Sequence, residues 1–349
     1  MNFEIKIEPI KKEFLDLAWK RLNGLTKPPG SLGKLEEIAA KLVAIYENPM
    51  PSISKKAVFV FASDHGVTQE GVSAYPKEVT AQMVFNFLRG GAGINVLARH
   101  AGAEVVVVDV GVDYEFGNLP GLISKKIVKG TKNMAKESAM TKDEAYRSLQ
   151  IGIDMAKDFH SKGYNLLATG EMGIGNTTPS AAIISVLTAS AVEEIAGKGS
   201  GIDEARLARK IDVIKKAIEI NKPDPANPID VLAKVGGPEI GAMAGVVLGC
   251  GQLRIPVVID GFISTAAALI AYAINPYVRD YIFASHNSVE RGHKKALNFM
   301  GLEPILDLNL RLGEGTGAVL AMTIIEAGLK IYREMATFEE AGVSGEKIC

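Results

Sequence analysis

Two glutamates in this chain stand among glycines, and their surroundings point to two kinds of chemistry. Glu314 lies in Arg311-Leu312-Gly313-Glu314-Gly315-Thr316-Gly317, and Glu171 in Gly170-Glu171-Met172-Gly173-Ile174-Gly175-Asn176-Thr177-Thr178. A surface glutamate usually rides a helix face, solvated and idle. Glycine neighbours contribute no packing, so the backbone here is shaped for the carboxylate or for a ligand beside it. Desolvation at such a place raises a carboxyl pKa towards the range of a general base. The second segment also suits an anion. Its glycines let backbone N–H groups approach a ligand closely. Asn176 or Thr177 can cap the helix that follows, and Pro179 suits that helix's first turn. A helix N-terminus with free amides is a ready phosphate site, the alternative being a tight strand-to-helix turn with no ligand. The segment is not the Gly-x-x-x-x-Gly-Lys-[Ser/Thr] loop, because no Lys-Ser/Thr pair follows. It also departs from the dinucleotide fingerprint, which belongs in the first strand-to-helix turn.

Other reactive side chains carry weaker signals. Lys210 flanks the apolar seam Leu207, Ile211, Ile214 and Ile218 of a helix that Asp203 can cap, among Arg206, Arg209, Lys215 and Lys216. On the residues alone it reads as part of a solvated face. His65 and His286 fall at strand ends with Asp64, Asp109 and Asp260, but without His-x-x-His-type spacing, so no metal is expected. Asp158-Phe159-His160-Ser161-Lys162-Gly163 matches the Asp-x-His-x-x-Gly motif of cobalamin-binding domains, and Gly236-Gly237 follows. Ala205-Arg206-Leu207 stands where that pattern wants Ser-x-Leu, however, and the copy ends a helix where it should follow a strand. It is read as coincidence. Two cysteines, Cys250 and Cys349, are too few for a disulfide framework or a four-ligand zinc site; Cys250 is expected buried and Cys349 frayed.

The elements that must position these groups are legible. Ala57–Ala62, Val105–Val110, Leu166–Thr169, Pro256–Asp260, Tyr281–Ala284 and Ile305–Leu308 are nearly continuous apolar runs, as in parallel strands buried on both faces. They alternate with helical stretches, among them one opened by the capping box Thr141-x-x-Glu144 and running to about Phe159. The expected architecture is α/β: a three-layer, Rossmann-like parallel sheet of about six strands. Each strand ends in polar or glycine-rich sequence, and in open α/β sheets the ligand crevice lies at the carboxyl ends of the strands. Helices at about Lys11–Asn23 and Ala318–Glu334 fall outside the strand series. They suggest a small helical subdomain from residues 1–29 and 326–349, beside a catalytic domain over 30–325.

Composition narrows the function classes. Lys+Arg 39 against Asp+Glu 40 leaves a net charge of -1 with no basic block, which argues against nucleic acid as partner. The apolar stretch 240–253 holds several glycines and is shorter than the roughly 20 residues a membrane span needs. No signal peptide is recognisable at the N-terminus, so a soluble cytoplasmic protein is expected. Glycine, at 36 of 349 residues, exceeds the usual share of about 7%.

Seven segments together resemble one family. They are Leu25-Thr26-Lys27-Pro28-Pro29-Gly30-Ser31-Leu32-Gly33, Ser63-Asp64-His65-Gly66-Val67, Tyr75-Pro76-Lys77-Glu78-Val79-Thr80, Arg89-Gly90-Gly91-Ala92, the Gly170–Thr178 segment, Asp260-Gly261-Phe262 and Leu312–Gly317. In that order, from about Leu22 to Ala327, they are similar to the nicotinate-nucleotide:dimethylbenzimidazole phosphoribosyltransferases of cobalamin synthesis. The resemblance implies transfer of the ribose phosphate of nicotinate mononucleotide to a benzimidazole nitrogen, without cofactor or metal. It implies Glu314 as general base, with Glu171 and Lys210 in the site, which reverses the residue-level reading of Lys210. It places Gln82 and Met83 by the aromatic base. Ser288 and the residues Met172, Gly173, Gly175, Asn176, Thr177, Gly313 and Gly315 are the expected substrate contacts. It implies a homodimer whose terminal helices help close the neighbouring site. Ordinary phosphoribosyltransferases end an apolar strand in two adjacent acids; Asp109-Val110-Gly111 offers one, in keeping with a nucleotide donor. The alternatives are a nucleosidase or glycoside hydrolase using Glu171 and Glu314 as a carboxylate pair, and a non-catalytic nucleotide-binding protein.

Overall fold

The computed structural model describes residues 5–199 and 201–344, so Cys349 lies outside the described residues. Seven strands form one parallel sheet: β1 (Lys55–Ser63), β2 (Glu104–Gly111), β3 (Leu122–Ser124), β4 (Tyr164–Met172), β5 (Val257–Ile259), β6 (Ile282–His286) and β7 (Pro304–Leu306). Their order is β3-β2-β1-β4-β5-β6-β7. The chain therefore builds outward from β1 in one direction, then crosses back to build from β4 in the other. The switch between β1 and β4 leaves a crevice at their carboxyl ends, where doubly wound sheets bind ligands.

Six of the strands coincide with the apolar runs of the sequence. The seventh, β3, is three half-buried or exposed residues at the edge, paired Val107 with Leu122, and has too little apolar sequence to announce itself. The register also extends β4 beyond the expected run: Phe61 pairs with Glu171 and Ala62 with Met172. Glu171 and Met172 are thus the last residues of a central strand, not loop residues. The ladder with β1 fixes their backbone on one side, while the pairing of β4 with β5 ends at Thr169.

Helices α1 (Lys12–Gly24) and α2 (Lys34–Tyr46) precede the sheet. Helices α3 (Val79–Leu88) and α4 (Gly93–Ala101) follow β1, and α5 (Lys142–Ser161) follows β3. Between β4 and β5 run α6 (Thr177–Leu187), α7 (Val192–Ile195), α8 (Glu204–Asn221), α9 (Pro228–Val235) and α10 (Pro238–Leu253). Helix α11 (Phe262–Ile274) follows β5, α12 (His293–Met300) follows β6, and α13 (Thr316–Glu334) follows β7, with a last short turn α14 (Phe338–Ala341). Helices α5, α10 and α11 pack together on the sheet, and α4 packs with α13 to form the other layer. Both expected caps are present: Thr141 and Glu144 exchange hydrogen bonds at the start of α5, and Asp203 accepts from the Arg206 N–H at the start of α8. The Asp158–Gly163 segment ends α5 and leads directly into β4.

A second apolar cluster lies apart from the main core. Ala18, Leu22 and Leu25 meet Ala39, Ala40 and Val43 of α2 and Tyr332 near the end of α13. The Arg21 Nε donates to the Tyr332 carbonyl at 2.8 Å, tying the two ends of the chain together. No helix among the described residues is long and apolar enough to cross a membrane.

The glycine-rich helix α10 explains part of the glycine excess. A Cβ on Gly245 would collide with the Leu149 carbonyl, one on Gly241 with the Ser148 hydroxyl, and one on Gly152 with the Ala242 carbonyl. Helices α5 and α10 therefore meet backbone to backbone at Gly152 and Gly245, with only small side chains such as Ser148 and Ala156 between them elsewhere. Gly245→Val should lower the unfolding free energy by roughly 2 kcal/mol or more, read from the midpoint of urea unfolding. An unchanged midpoint would mean that the two helices have room to separate.

Candidate active site

A cavity of about 770 Å³ opens at the carboxyl ends of β4, β5 and β6. Of the residues expected from the sequence, Met83, Glu171, Met172, Gly173, Gly175, Asn176, Thr177, Ser288, Gly313 and Glu314 line it. Gln82, Lys210 and Gly315 do not. Gln82 is exposed, one residue before the cavity-facing Met83 on α3, where a step of about 100° turns the side chain away. Gly315 lies behind the wall, its N–H committed to Asp260 at 3.1 Å, so this amide is not free for a ligand.

Glu314 is held by three separate elements. Gly313, Glu314 and Gly315 take φ values of 87°, 64° and 96°, so three successive residues are left-handed, one of them carrying a side chain. Such a stretch persists only where its surroundings over-determine it. Asp260, just beyond β5, supplies part of that: its carboxylate accepts from the N–H groups of Gly315, Gly317 and Ala318 at 3.1, 2.8 and 3.1 Å. These are the orphan amides that open α13. Gly170 supplies the rest, since a Cβ there would collide with the Glu314 carbonyl. The Glu314 side chain then turns to α4, where its Oε2 accepts from the Ile94 N–H at 3.1 Å. Gly93, whose Cβ would lie 2.9 Å from Leu312, lets the loop approach that closely. Burial raises the Glu314 pKa; the Ile94 N–H opposes the rise and the Asp260 charge adds to it. The result is a carboxylate of raised basicity facing the cavity.

Glu171 has a different environment. Its Oε2 accepts from the Asn176 side-chain amide. Asn176 therefore sits at the N-cap position of α6 without capping it, because its side chain is spent on the glutamate. Burial pushes the Glu171 pKa up to about 8, with the charges of Asp260 and Glu239 adding to the rise and the Asn176 amide and the Glu314 N–H working against it. At neutral pH this carboxyl is mostly protonated, and the two glutamates avoid facing each other as two full charges.

The other end of the cavity suits an anion. Gly173, Gly175 and Thr177 bring the N-terminus of α6 to its wall, where first-turn amides and the helix dipole favour negative charge. A Cβ on Gly173 would lie 2.6 Å from the Ser63 carbonyl, so the turn passes tightly across the end of β1. Lys210 is not on a solvated face: it is 1% exposed, and its Nζ donates to Thr177 Oγ1 at 2.8 Å and to the Gly197 carbonyl at 3.1 Å. Burial lowers its pKa to about 8, and nearby Glu290 works against the drop. The lysine thus braces the first residue of α6 from behind.

The structure adds residues that the sequence did not single out for the site. Asp260 is the buried cap just described. Glu290 and Arg311 line the cavity, as do Tyr75, Val79 and Phe262, which give it an apolar wall. His65 lies beneath the floor, its Nε2 at 2.7 Å from Glu239 Oε1; burial pulls its pKa down, but the Glu239 carboxylate outweighs this and the net shift is upward. His286 sits 3.9 Å from Asp260, separate from that pair. Only the strand-end positions of His65, His286 and Asp260 are visible in the sequence; Glu239, the partner of His65, comes from α10, and the amides that Asp260 accepts from come from the start of α13.

The raised pKa of Glu171 has a consequence for stability. Its carboxyl ionises near 4.5 when unfolded and near 8 when folded, so the folded state binds more protons between those values. The stabilisation is complete below about pH 4.5 and is lost as pH rises to about 8. Glu171→Gln should therefore show a smaller fall in Tm than the native chain between pH 4.5 and 8, measured by thermal unfolding at fixed ionic strength. Parallel Tm profiles would show that Glu171 carries no such shift.

Comparison with known proteins identifies the family. A family model described as Phosphoribosyltransferase matches residues 7–343. The nicotinate-nucleotide–dimethylbenzimidazole phosphoribosyltransferase of Geotalea uraniireducens is 60% identical over 339 residues, covering 97% of this chain and 96% of that protein. The protein of the same name from Geobacter sulfurreducens is 59% identical over the same shares. A crystal structure of the corresponding Thermus thermophilus protein superposes with a TM-score of 0.92 at 46% identity, covering 97% of this chain and all of that one. The chain belongs to the nicotinate-nucleotide–dimethylbenzimidazole phosphoribosyltransferase family.

Proposed function

We propose that the chain transfers the phosphoribosyl group of nicotinate mononucleotide to 5,6-dimethylbenzimidazole or a related base, giving α-ribazole 5'-phosphate and nicotinate. The observation that carries this reading is Glu314. Its Oε2 is anchored on the N-terminus of α4, and the side chain faces a cavity whose far end is the N-terminus of α6. That arrangement pairs a general base with an anion site across one pocket.

The donor's glycosidic nitrogen is already cationic, so nicotinate departs with the bonding electron pair and needs no acid. The acceptor is the group that must lose a proton. As one ring nitrogen forms the bond to C1', the other ring nitrogen gives its proton to Glu314. Attack on the face opposite the leaving group converts the β-nucleotide into an α-riboside. Holding both rings around the anomeric carbon supplies much of the acceleration. In this reading the phosphate rests on the amides around Gly173, Gly175 and Thr177, with Lys210 supplying charge from behind. Met83 lies by the acceptor ring with Tyr75 and Val79, and Ser288 is assigned to the ribose phosphate. Glu171, carrying its proton, holds Asn176 and the Glu314 loop in place.

The same reading carries a homodimer, which rests on the family resemblance. The small subdomain of residues 1–29 and 326–349, which contains α1 and the end of α13, is taken as the part that meets the second copy.

Incubation with nicotinate mononucleotide tests the assignment. Nicotinate release should require added dimethylbenzimidazole, and Glu314→Gln should lower kcat by roughly 10²- to 10⁴-fold with the fold intact. Release at an equal rate without acceptor would indicate a hydrolase, and an undiminished rate in Glu314→Gln would remove Glu314 as the base.

A further inference from the structure

Glu290 follows β6, two residues beyond Ser288, and lines the cavity while only 9% exposed. Among the described residues it forms no ion pair, and its Oε2 accepts no hydrogen bond. Its backbone N–H is directed to Ser288 Oγ at 3.4 Å. The cation whose field reaches it, Lys210, donates to Thr177 and to the Gly197 carbonyl instead. The packing preserves this arrangement, because a Cβ on Gly197 would collide with the Glu290 carboxylate. A buried carboxylate with one oxygen lacking a partner is costly to keep, and it calls for a donor.

The proposed substrate narrows what that donor can be. A ribosyl phosphate presents phosphate oxygens, which accept and would repel a carboxylate, and the 2'- and 3'-hydroxyls, which donate. We infer that Glu290 accepts hydrogen bonds from the ribose hydroxyls of the donor and so sets the preference for ribosyl over deoxyribosyl nucleotides. This rests on the transferase reading for the identity of the nucleotide. A carboxylate on a ribose hydroxyl is a recurring solution in α/β nucleotide sites, where the acid usually ends a strand near the phosphate turn. Here it comes from the loop after β6, on the far side of the switch point from β1.

The test is calorimetric binding of nicotinate mononucleotide and its 2'-deoxy and 3'-deoxy analogues, without acceptor, to the native chain, Glu290→Gln and Glu290→Ala. The native chain should bind the ribonucleotide roughly 10- to 100-fold more tightly than at least one deoxy analogue. That preference should shrink in Glu290→Gln, which keeps the side-chain volume, and nearly vanish in Glu290→Ala. Equal affinity of the native chain for all three nucleotides overturns the inference even if neither variant folds. Full preference retained in a folded variant overturns it as well. Failure of the transferase reading shows up separately, as binding with no nicotinate released when dimethylbenzimidazole is added.

Discussion

Asp260 carries three backbone hydrogen bonds from the first turn of α13, and the geometry of the site follows from them. The carboxylate is fully buried, and burial raises its pKa while His286 and the three amides pull it back. It fixes where α13 begins, and so where the three left-handed residues before that helix must turn. A non-glycine residue in that conformation costs about 1–2 kcal/mol, so Glu314 stays there only because the cap and the bare Gly170 hold it from both sides. Flexible glycines on either side of Glu314 thus produce a rigid carboxylate. Their freedom is consumed by the fold, and the side chain is aimed before any ligand arrives.

The electrostatics of the cavity follow from how few cations it contains. With a net charge of -1, the chain has no broad basic surface to attract a phosphate. Glu171, Asp260, Glu290 and Glu314 are all buried around one pocket, and Lys210 is the buried cation beside them. Such a site is tolerable because most of these acids have a separate means of relief. Glu171 keeps its proton, Asp260 is bonded to amides, and Glu314 rests on the N-terminus of α4. In the proposed mechanism the phosphate is left to the N-terminus of α6, where helix geometry supplies donors without extra charge. A general base and an anion site can then share a cavity without neutralising each other.

Much of this was legible in the sequence because the signals were local. The doubly buried strands, the caps at Thr141 and Asp203, the glycine-flanked glutamates and the convergence of strand-end loops all depend on residues close together in the chain. What escaped depends on distant partners. Asp260 was visible as a strand-end acid, but not as the cap of a helix that starts 56 residues later. Lys210 had helical spacing that suggested a solvated face, and only the covering loop at Gly197 and the contact with Thr177 make it buried. Asn176 had the right type and place for a cap, yet Glu171 competes for its side chain and wins. β3 is too short to carry a pattern, and Gln82 shares a helix with Met83 but not a face. Helix spacing and turn chemistry describe the chain near each residue, whereas the site is assembled across the sheet.

In the proposed mechanism Glu314 is held ready to take the acceptor's proton. A crystal structure of the protein with α-ribazole 5'-phosphate and nicotinate bound tests it most directly. A Glu314 carboxylate oxygen should lie within about 3 Å of the benzimidazole nitrogen that is not bonded to the sugar, with the phosphate on the amides that open α6. A Glu314 carboxylate turned away from that nitrogen, with another group in its place, would contradict it.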